Sequence, residues 1–257
     1  TDVAREVYVA KRGFLMEKTD QKGPVPQATI DDKIFNFAYI MAMRDATQQQ
    51  AFPAANKKLL WEKADETVVA YRLLKGYIND ILGKDKQEQD FYEIEKDIEK
   101  AVNEFIKTNG IKKVTKKDEP EFIEDTVFTF GNAQKLINMT AKYMFISAYQ
   151  DSNKAKLFDQ CHCPMDGIMV DKVAKIAGRL VDEGEEGLRA SLESFACKRP
   201  RAHDWAAKDE VRWSKLTLEN RKSYEGFQEV VRTLAEREGL SPLELDFCVW
   251  GSDGDER

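Results

Sequence analysis

The stretch FTFGNAQKLINMTAKYMFISAYQDSNKAKLFDQCHCPMD, residues 128–166, contains the most informative pattern in the chain. Apolar residues recur there at steps of three and four, which predicts a helix from about 132 to 149. The residues of this apolar face are Leu136, Met139, Tyr143, Ile146 and Tyr149. Gly131 permits a tight turn before the helix, and Asn132 is a suitable N-cap. Lys135 is therefore expected in the first helical turn.

A lysine and an aspartate in this stretch each lie beside an interruption of the backbone pattern. Asp166 follows Lys135 by 31 positions (166 − 135) and comes two residues after Pro164, which interrupts regular structure. An unprotonated lysine amine can attack a sugar or carbonyl carbon to form a Schiff base. A nearby carboxylate can stabilise positive charge or move protons. Lysine is also common and usually solvated, so the same pair fits an ordinary surface.

The composition indicates a globular protein. The chain has 257 residues, 42% hydrophobic and 33% charged, with no run of about 18 apolar residues that would predict a membrane helix. Its first residues, TDVAREVYVAKRG, lack the apolar core of a signal peptide. The four cysteines are few for this length and predict a reduced, cytoplasmic protein. No membrane partner is expected. A net charge of −6 argues against broad nucleic-acid affinity but allows a local basic surface.

Most of the remaining chain shows helical periodicity and none of it shows convincing strand alternation, so the predicted fold class is all-α. The predicted helices are one opened by Thr29, 55–82 with an interruption near 64–67, 87–108, 167–181, 186–197, 218–238, and a short one with Ser241 as N-cap and Pro242 first. The predicted domains are an irregular segment 1–29, a helical subdomain 30–120, a hairpin and C-terminal helical part 121–251 that carries the site, and a tail 252–257.

The sequence contains a candidate metal site and a lysine-rich segment, and each also has an ordinary structural explanation. Cys161, His162 and Cys163 are ligand types for zinc, but zinc sites usually space a cysteine pair by two to four residues and add a second pair. Cys197, His203 and Cys248 could complete a set of metal ligands only if the fold brought them next to this segment. We therefore expect no metal ion and interpret the cysteines as buried or incidental. No P-loop, Rossmann or histidine-metal motif is present, and no cofactor is expected. The lysines around 107–117 predict a solvated loop or, alternatively, a phosphate-facing one.

Three blocks of the sequence resemble the archaeal 8-oxoguanine DNA glycosylase family, a branch of the helix-hairpin-helix DNA glycosylase superfamily. Residues 131–135, GNAQK, are similar to the Gln-Lys pair that opens a helix in the family. Residues 163–166, CPMD, are similar to its Pro-x-Asp. Residues 224–228 and 239–250 are similar to its Tyr…Gln…Gly-x-x-Pro-Leu-x-x-Asp-x-x-x-Trp pattern. The blocks follow the family's order and approximate spacing over roughly the C-terminal half.

The resemblance implies a DNA glycosylase with AP-lyase activity on an oxidised purine, built from helical subdomains that flank a cleft. Lys135 would be the Schiff-base nucleophile that attacks the sugar C1′, and Asp166 would stabilise the developing charge. Such enzymes extrude the damaged base of double-stranded DNA into a pocket. The implied pocket residues are Asp246, Trp250, Met139 and Gln134. The implied phosphate-binding residues are Gly131, Asn132, Ala133 and Lys142, with Lys112, Lys113, Lys198 and Arg199 as further candidates.

Two other functions are compatible with the sequence. The first is a catalytically inactive helical module that binds nucleic acid or protein, for example in genome defence or regulation. It is favoured by the net charge of −6 and by Met139, which stands where the family's pocket has an aromatic residue. The second is a metal-dependent hydrolase that uses Cys161, His162 and Cys163.

Overall fold

The structure of the protein is a computed structural model that describes residues 31–48, 54–62, 65, 68–83, 88–109, 113–114, 120–121, 127–148, 152–199, 204–209 and 211–251. These residues are mostly helical, as the apolar periodicity predicts. Their α-helices are α1 Asp32–Thr47, α2 Ala54–Glu62, α3 Val69–Gly83, α4 Glu88–Asn109, α5 Phe130–Ala148, α6 Ser152–Lys156, α7 Gly167–Asp182, α8 Arg189–Phe195, α9 Lys222–Arg237 and α10 Pro242–Gly251. Short 3-10 turns cover Glu186–Leu188, Trp213–Lys215 and Leu218–Asn220.

Two short antiparallel strand pairs were missed by the sequence reading. The first pairs β1 Lys113–Val114 with β2 Pro120–Glu121. The second pairs β3 Ala196–Lys198 with β4 Trp205–Ala207. Residues 196–197 were expected at the end of a helix, and 198–205 were expected to form a basic loop; instead α8 ends at Phe195 and the chain turns back as a hairpin. Strands of two or three residues are too short to show an alternating pattern.

The described residues fall into two compact units, one ending at Ser147 and one beginning at Ala148. In the first unit, α3 and α4 pack against each other, as do α1 and α2. Its core includes Phe35, Tyr39, Leu74 and Ile78, and Tyr71 meets Tyr39 edge to face. In the second unit α9 packs against α7, α8 and α10, and α7 also carries the β3–β4 hairpin.

The division between the units differs from the predicted boundary at residue 120. Helix α5 belongs with the helices before it because two polar contacts of the helix and one of the segment just before it reach back in sequence. The Asn132 side-chain amide donates to the Ala46 carbonyl at 2.7 Å, and the Tyr143 hydroxyl donates to Asp45 at 2.7 Å. Just ahead of α5, the Phe128 N–H donates to Asn103 at 2.8 Å.

Local capping contacts determine several helix ends. They explain why some of these ends match the predicted positions and others do not. The predicted interruption near 64–67 lies mostly outside the described residues; α2 ends at Glu62, Asp65 is not helical, and α3 begins at Val69. Thr29 lies outside the described residues; α1 is capped instead by Asp31, whose carboxylate accepts from Lys33 and Ile34 N–H. Helix α9 ends at Arg237, and Gly239 follows its C-cap residue Glu238 with a φ of 64°, the left-handed conformation that glycine adopts easily.

The start of α10 is the one expected from its sequence. The Ser241 hydroxyl accepts from Glu244 N–H at 3.4 Å, and the Glu244 carboxylate accepts from Ser241 N–H at 2.9 Å. This reciprocal pair is a capping box, with Pro242 at the first helical position where its missing N–H is not needed. No helix in the described part of the chain is long and apolar enough to cross a bilayer.

Candidate active site

Helix α5, which carries the predicted nucleophile, begins two residues earlier than its sequence suggests. Thr129 occupies the N-cap position, and its hydroxyl accepts from Asn132 N–H at 3.2 Å. The Asn132 side-chain oxygen in turn accepts from Thr129 N–H at 2.9 Å. The expectation that Asn132 is the N-cap is therefore wrong: it is the third helical residue and closes a capping box. Threonine and asparagine are both good caps, so the sequence could not distinguish them.

Lys135 lies in the second turn of α5, since the helix begins at Phe130. It was expected in the first turn, where the helix dipole acts most strongly on a charge. Lys135 is only 9% exposed, which is uncommon for a lysine. Its neighbour Gln134 is fully buried and accepts from the Asn138 side-chain amide at 3.1 Å. Met139 is one turn beyond Lys135 on the same face and is partly exposed.

The three residues expected to hold a DNA phosphate through their backbone N–H groups are buried. Ala133 has no exposed surface, Asn132 has 1%, and Gly131 is also buried. The Ala133 N–H already donates to the Thr129 carbonyl at 2.9 Å, and the Asn132 N–H donates to the Thr129 hydroxyl. An exposed helix N-terminus binds anions well, but this one is closed by its own cap. Lys142, the fourth predicted phosphate ligand, is partly exposed.

Asp166 lies in the second unit, at the N-terminus of α7. Its carboxylate accepts from Met169 N–H at 2.9 Å, so Asp166 is the N-cap of this helix. The five residues before it, from Cys161 to Met165, are all buried, whereas Asp166 itself is partly exposed. The carboxylate therefore lies at the surface end of a buried loop.

Three residues at intervals of four on α9 face this buried loop, and we call them the α9 stripe: Tyr224, Gln228 and Arg232. The Arg232 guanidinium donates to His162 Nε2 at 2.9 Å. Because arginine has no acceptor, Nε2 must be unprotonated, and the proton of the neutral ring lies on Nδ1. That Nδ1–H donates to the Tyr224 hydroxyl at 2.8 Å. Burial, and secondarily the Arg232 charge, lower the pKa of His162 to about 3, so the ring stays neutral at ordinary pH.

The middle residue of the stripe holds the backbone of Cys163 at both of its polar groups. The Gln228 side-chain oxygen accepts from Cys163 N–H at 3.0 Å, and its amide nitrogen donates to the Cys163 carbonyl at 2.7 Å. All of these groups are buried, so the two bonds satisfy backbone groups that water does not reach. The resemblance had marked Tyr224 and Gln228 without giving them a contact, and Arg232 was not singled out at all.

The Cys-His-Cys segment is built as a packed loop. Burial, and secondarily Asp159, raise the pKa of the Cys161 thiol to about 12, which opposes the thiolate form that binds metals. Both ring nitrogens of His162 already have hydrogen-bond partners. Among the described residues no group of three or more His, Cys, Asp or Glu side chains is placed to hold a metal ion. Of the predicted extra ligands, Cys197 is exposed, Cys248 is buried, and His203 lies outside the described residues.

The two predicted pocket residues of the C-terminus lie one turn apart on α10, also in the second unit. Asp246 is buried to 1% exposure, whereas Trp250 is 45% exposed. Lys172 on α7 donates to the Val249 carbonyl at 2.9 Å, which attaches the end of α10 to α7. A cation near carbonyls at a helix C-terminus is favourable. The arrangement presents an indole at the surface of α10 one turn after a buried carboxylate.

The remaining candidate phosphate ligands differ in their surroundings. Lys198 forms an ion pair with Asp182 at 2.9 Å, which offsets its charge. Arg199 is exposed, and its backbone N–H donates to Asp204 in the hairpin loop at 2.8 Å. Lys113 is in β1, and Lys112 lies outside the described residues.

Comparisons with known proteins give no relative for this chain. No protein-family model matches it, no curated protein matches it, and no solved structure matches it.

Proposed function

We propose that this protein is a DNA base-excision glycosylase with AP-lyase activity on an oxidised purine, on a helix-hairpin-helix glycosylase fold. The observation that carries the proposal is the setting of Lys135, a lysine only 9% exposed in the second turn of a capped helix. Lysine is rarely buried without a specific reason, and a nucleophilic amine is one. The ordered sequence blocks around it support the same conclusion.

In the proposed mechanism Lys135 Nζ attacks C1′ of the damaged nucleotide as the C1′–N9 bond to the base breaks. The electron pair leaves with the base, which takes up a proton, and the attacking amine loses one. Ring opening then gives an imine that permits strand cleavage. Asp166, whose carboxylate accepts from Met169 N–H at the start of α7, would stabilise the positive charge that develops on the sugar. Trp250 would stack on the extruded base, and Asp246 would hydrogen-bond it.

The test is borohydride trapping on a duplex that contains one 8-oxoguanine. Borohydride reduces the imine to a stable amine, so the wild-type protein is expected to form a covalent adduct with the DNA. Lys135→Gln should form none. Lys100→Gln, which removes an exposed lysine of α4 that has no proposed role in DNA binding, is the control and should retain the adduct. An equal adduct yield from Lys135→Gln would refute the assignment of the nucleophile.

A second candidate function, a binding module without catalysis, is favoured by the buried start of α5. The N–H groups of Asn132 and Ala133 are used internally, and the chain carries a net charge of −6. A duplex with a preformed abasic site distinguishes the two functions because it needs no base recognition. Trapping on that duplex supports the lyase, whereas retention of labelled DNA without trapping supports the binding module.

A further inference from the structure

We infer that the α9 stripe of Tyr224, Gln228 and Arg232 is a positioning device that fixes the Asp166 carboxylate through the buried loop 161–165. The inference rests on the proposed function for its catalytic consequence, but the geometry on which it depends belongs to the second unit alone. None of the three residues is proposed to touch the DNA.

The stripe makes four polar contacts with two consecutive residues of the loop. Tyr224 and Arg232 hold the two ring nitrogens of His162, and Gln228 holds both backbone groups of Cys163. Residues four apart on a helix lie on one face, so a single rigid helix makes all these contacts. The planar amide of Gln228 therefore fixes the position and the orientation of the Cys163 peptide groups together.

The backbone between Cys163, which the α9 stripe holds, and the Asp166 carboxylate is short and has little conformational freedom. Pro164 restricts its own backbone, and Met165 has no exposed surface, so neither residue can adjust freely. Asp166 then joins α7 through its cap bond to Met169 N–H and through its carbonyl, which accepts from Val170 N–H at 2.9 Å. The loop is thus held by α9 at one end and by α7 at the other, three residues apart.

The chemistry proposed for Asp166 depends on where its carboxylate lies. A charge that stabilises a transition state must be fixed before the reaction, and displacement by about 1 Å can reduce the rate by roughly 100-fold. Weakening the contacts of the α9 stripe would allow such a displacement of the Asp166 carboxylate without removing any group from the site. This predicts a loss of rate with little loss of DNA affinity.

The first measurement needs no activity. Gln228→Leu keeps the bulk of the side chain but removes both bonds to Cys163, and the amide hydrogen exchange of Met169 reports the Asp166 cap. We expect Met169 exchange to accelerate by about tenfold or more, because local opening becomes easier. Thr233→Val is the matched control, since the Thr233 hydroxyl donates to the Glu229 carbonyl within α9 itself. Unchanged Met169 exchange in Gln228→Leu would overturn the inference, whether or not the protein is an enzyme.

The second measurement is a double-mutant cycle on the single-turnover rate with the 8-oxoguanine duplex. Asp166→Asn and Gln228→Leu should each slow the reaction, and the double variant should be no slower than Asp166→Asn alone. If the rate losses of the two single variants multiply in the double variant, Gln228 acts through general stability, and this result would overturn its positioning role. If Gln228→Leu does not fold, Tyr224→Phe removes a single hydroxyl from the same stripe and enters the cycle instead.

Failure of the proposed function gives a different result from failure of this inference. An unchanged rate in Asp166→Asn, or no reaction by the wild type, rejects the proposed chemistry, and Met169 exchange then decides the inference alone. A slow Asp166→Asn variant together with an unimpaired Gln228→Leu variant keeps the glycosylase and rejects the α9 stripe as its positioning device.

Discussion

His162 illustrates at the scale of one residue how burial determines protonation. Its folded pKa of about 3 lies below the unfolded value near 6.5, so below pH 6.5 the unfolded chain binds a proton that the folded protein does not. Stability is therefore expected to fall as pH drops from about 6.5 towards 3, by up to about 1.4 kcal/mol per pH unit from this residue.

The variant His162→Gln isolates this effect because glutamine can bond to Tyr224 and Arg232 but does not titrate. Urea unfolding from pH 8 to pH 4 should give parallel curves of unfolding free energy for the two proteins above pH 7. Below about pH 6.5 the unfolding free energy of the wild type should fall more steeply with decreasing pH than that of the variant. The difference in slope should correspond to about one bound proton. Curves that stay parallel throughout would show that His162 is protonated in the folded state as easily as in the unfolded chain.

The four cysteines allow a second prediction at the same scale. Cys161, Cys163 and Cys248 are buried, and burial raises the pKa of Cys161, whereas Cys197 is exposed on β3. Only the thiolate reacts, and it must be accessible to the reagent. An aromatic disulfide reagent should therefore titrate one thiol quickly in the native protein and all four after denaturation. Cys197→Ser should lose the fast phase, and a fast phase that persists would show that one of the three buried cysteines is accessible to the reagent.

At the scale of elements, two mid-helix glycines predict opposite responses to the same substitution. A Cβ at Gly178 on α7 would overlap the Trp205 side chain of β4, so Gly178→Ala forces these two elements apart. We expect a loss of about 1–3 kcal/mol in unfolding free energy. A Cβ at Gly76 on α3 meets nothing within 4 Å, so Gly76→Ala should gain about 0.5–1 kcal/mol from helix propensity. Denaturant unfolding measures both, and a shared sign would contradict the packing of Trp205 on α7.

The elements that the sequence predicted correctly are those whose determinants are local. Gly239, Ser241 and Glu244 set the end of α9 and the start of α10 through bonds that span at most five residues. The β3–β4 hairpin was missed because Ala206 and Ala207 carry little side-chain pattern, and its stability comes from packing on α7. The start of α5 was misplaced by two residues because Thr129 and Asn132 are both suitable caps.

The candidate site depends even more on contacts between residues distant in sequence, which local patterns do not predict. Lys135 and Asp166 could be proposed from the sequence because each lies beside a turn signal, but the contacts that hold Asp166 could not. His162 meets Tyr224 across 62 positions and Arg232 across 70, and no local pattern reports such a pairing. Burial of the α5 start was also invisible, since glycine, asparagine and alanine fit an exposed helix end equally well.

At the scale of the whole molecule, charge opposes the proposed partner. A net charge of −6 repels DNA at long range, so binding must depend on a few local cations. Lys142 on α5 is partly exposed and is, among the lysines and arginines predicted to bind phosphate, the nearest in sequence to Lys135. Lys198 is paired with Asp182 at 2.9 Å and offers less charge to a phosphate.

These two lysines form a matched pair for testing how the molecule holds DNA. Each phosphate contact contributes about −0.9 to the slope of log affinity against log salt concentration. Lys142→Gln is expected to weaken binding of an abasic duplex and to make this slope shallower by about one unit, because one counterion fewer is released. Lys198→Gln should change neither quantity by a comparable amount. Fluorescence anisotropy from 50 to about 200 mM salt measures the slope for each variant over the range in which such contacts are lost. Equal slopes for Lys142→Gln and wild type would remove Lys142 from the DNA interface, while a larger change in Lys198→Gln would move that interface to the β3–β4 hairpin of the second unit.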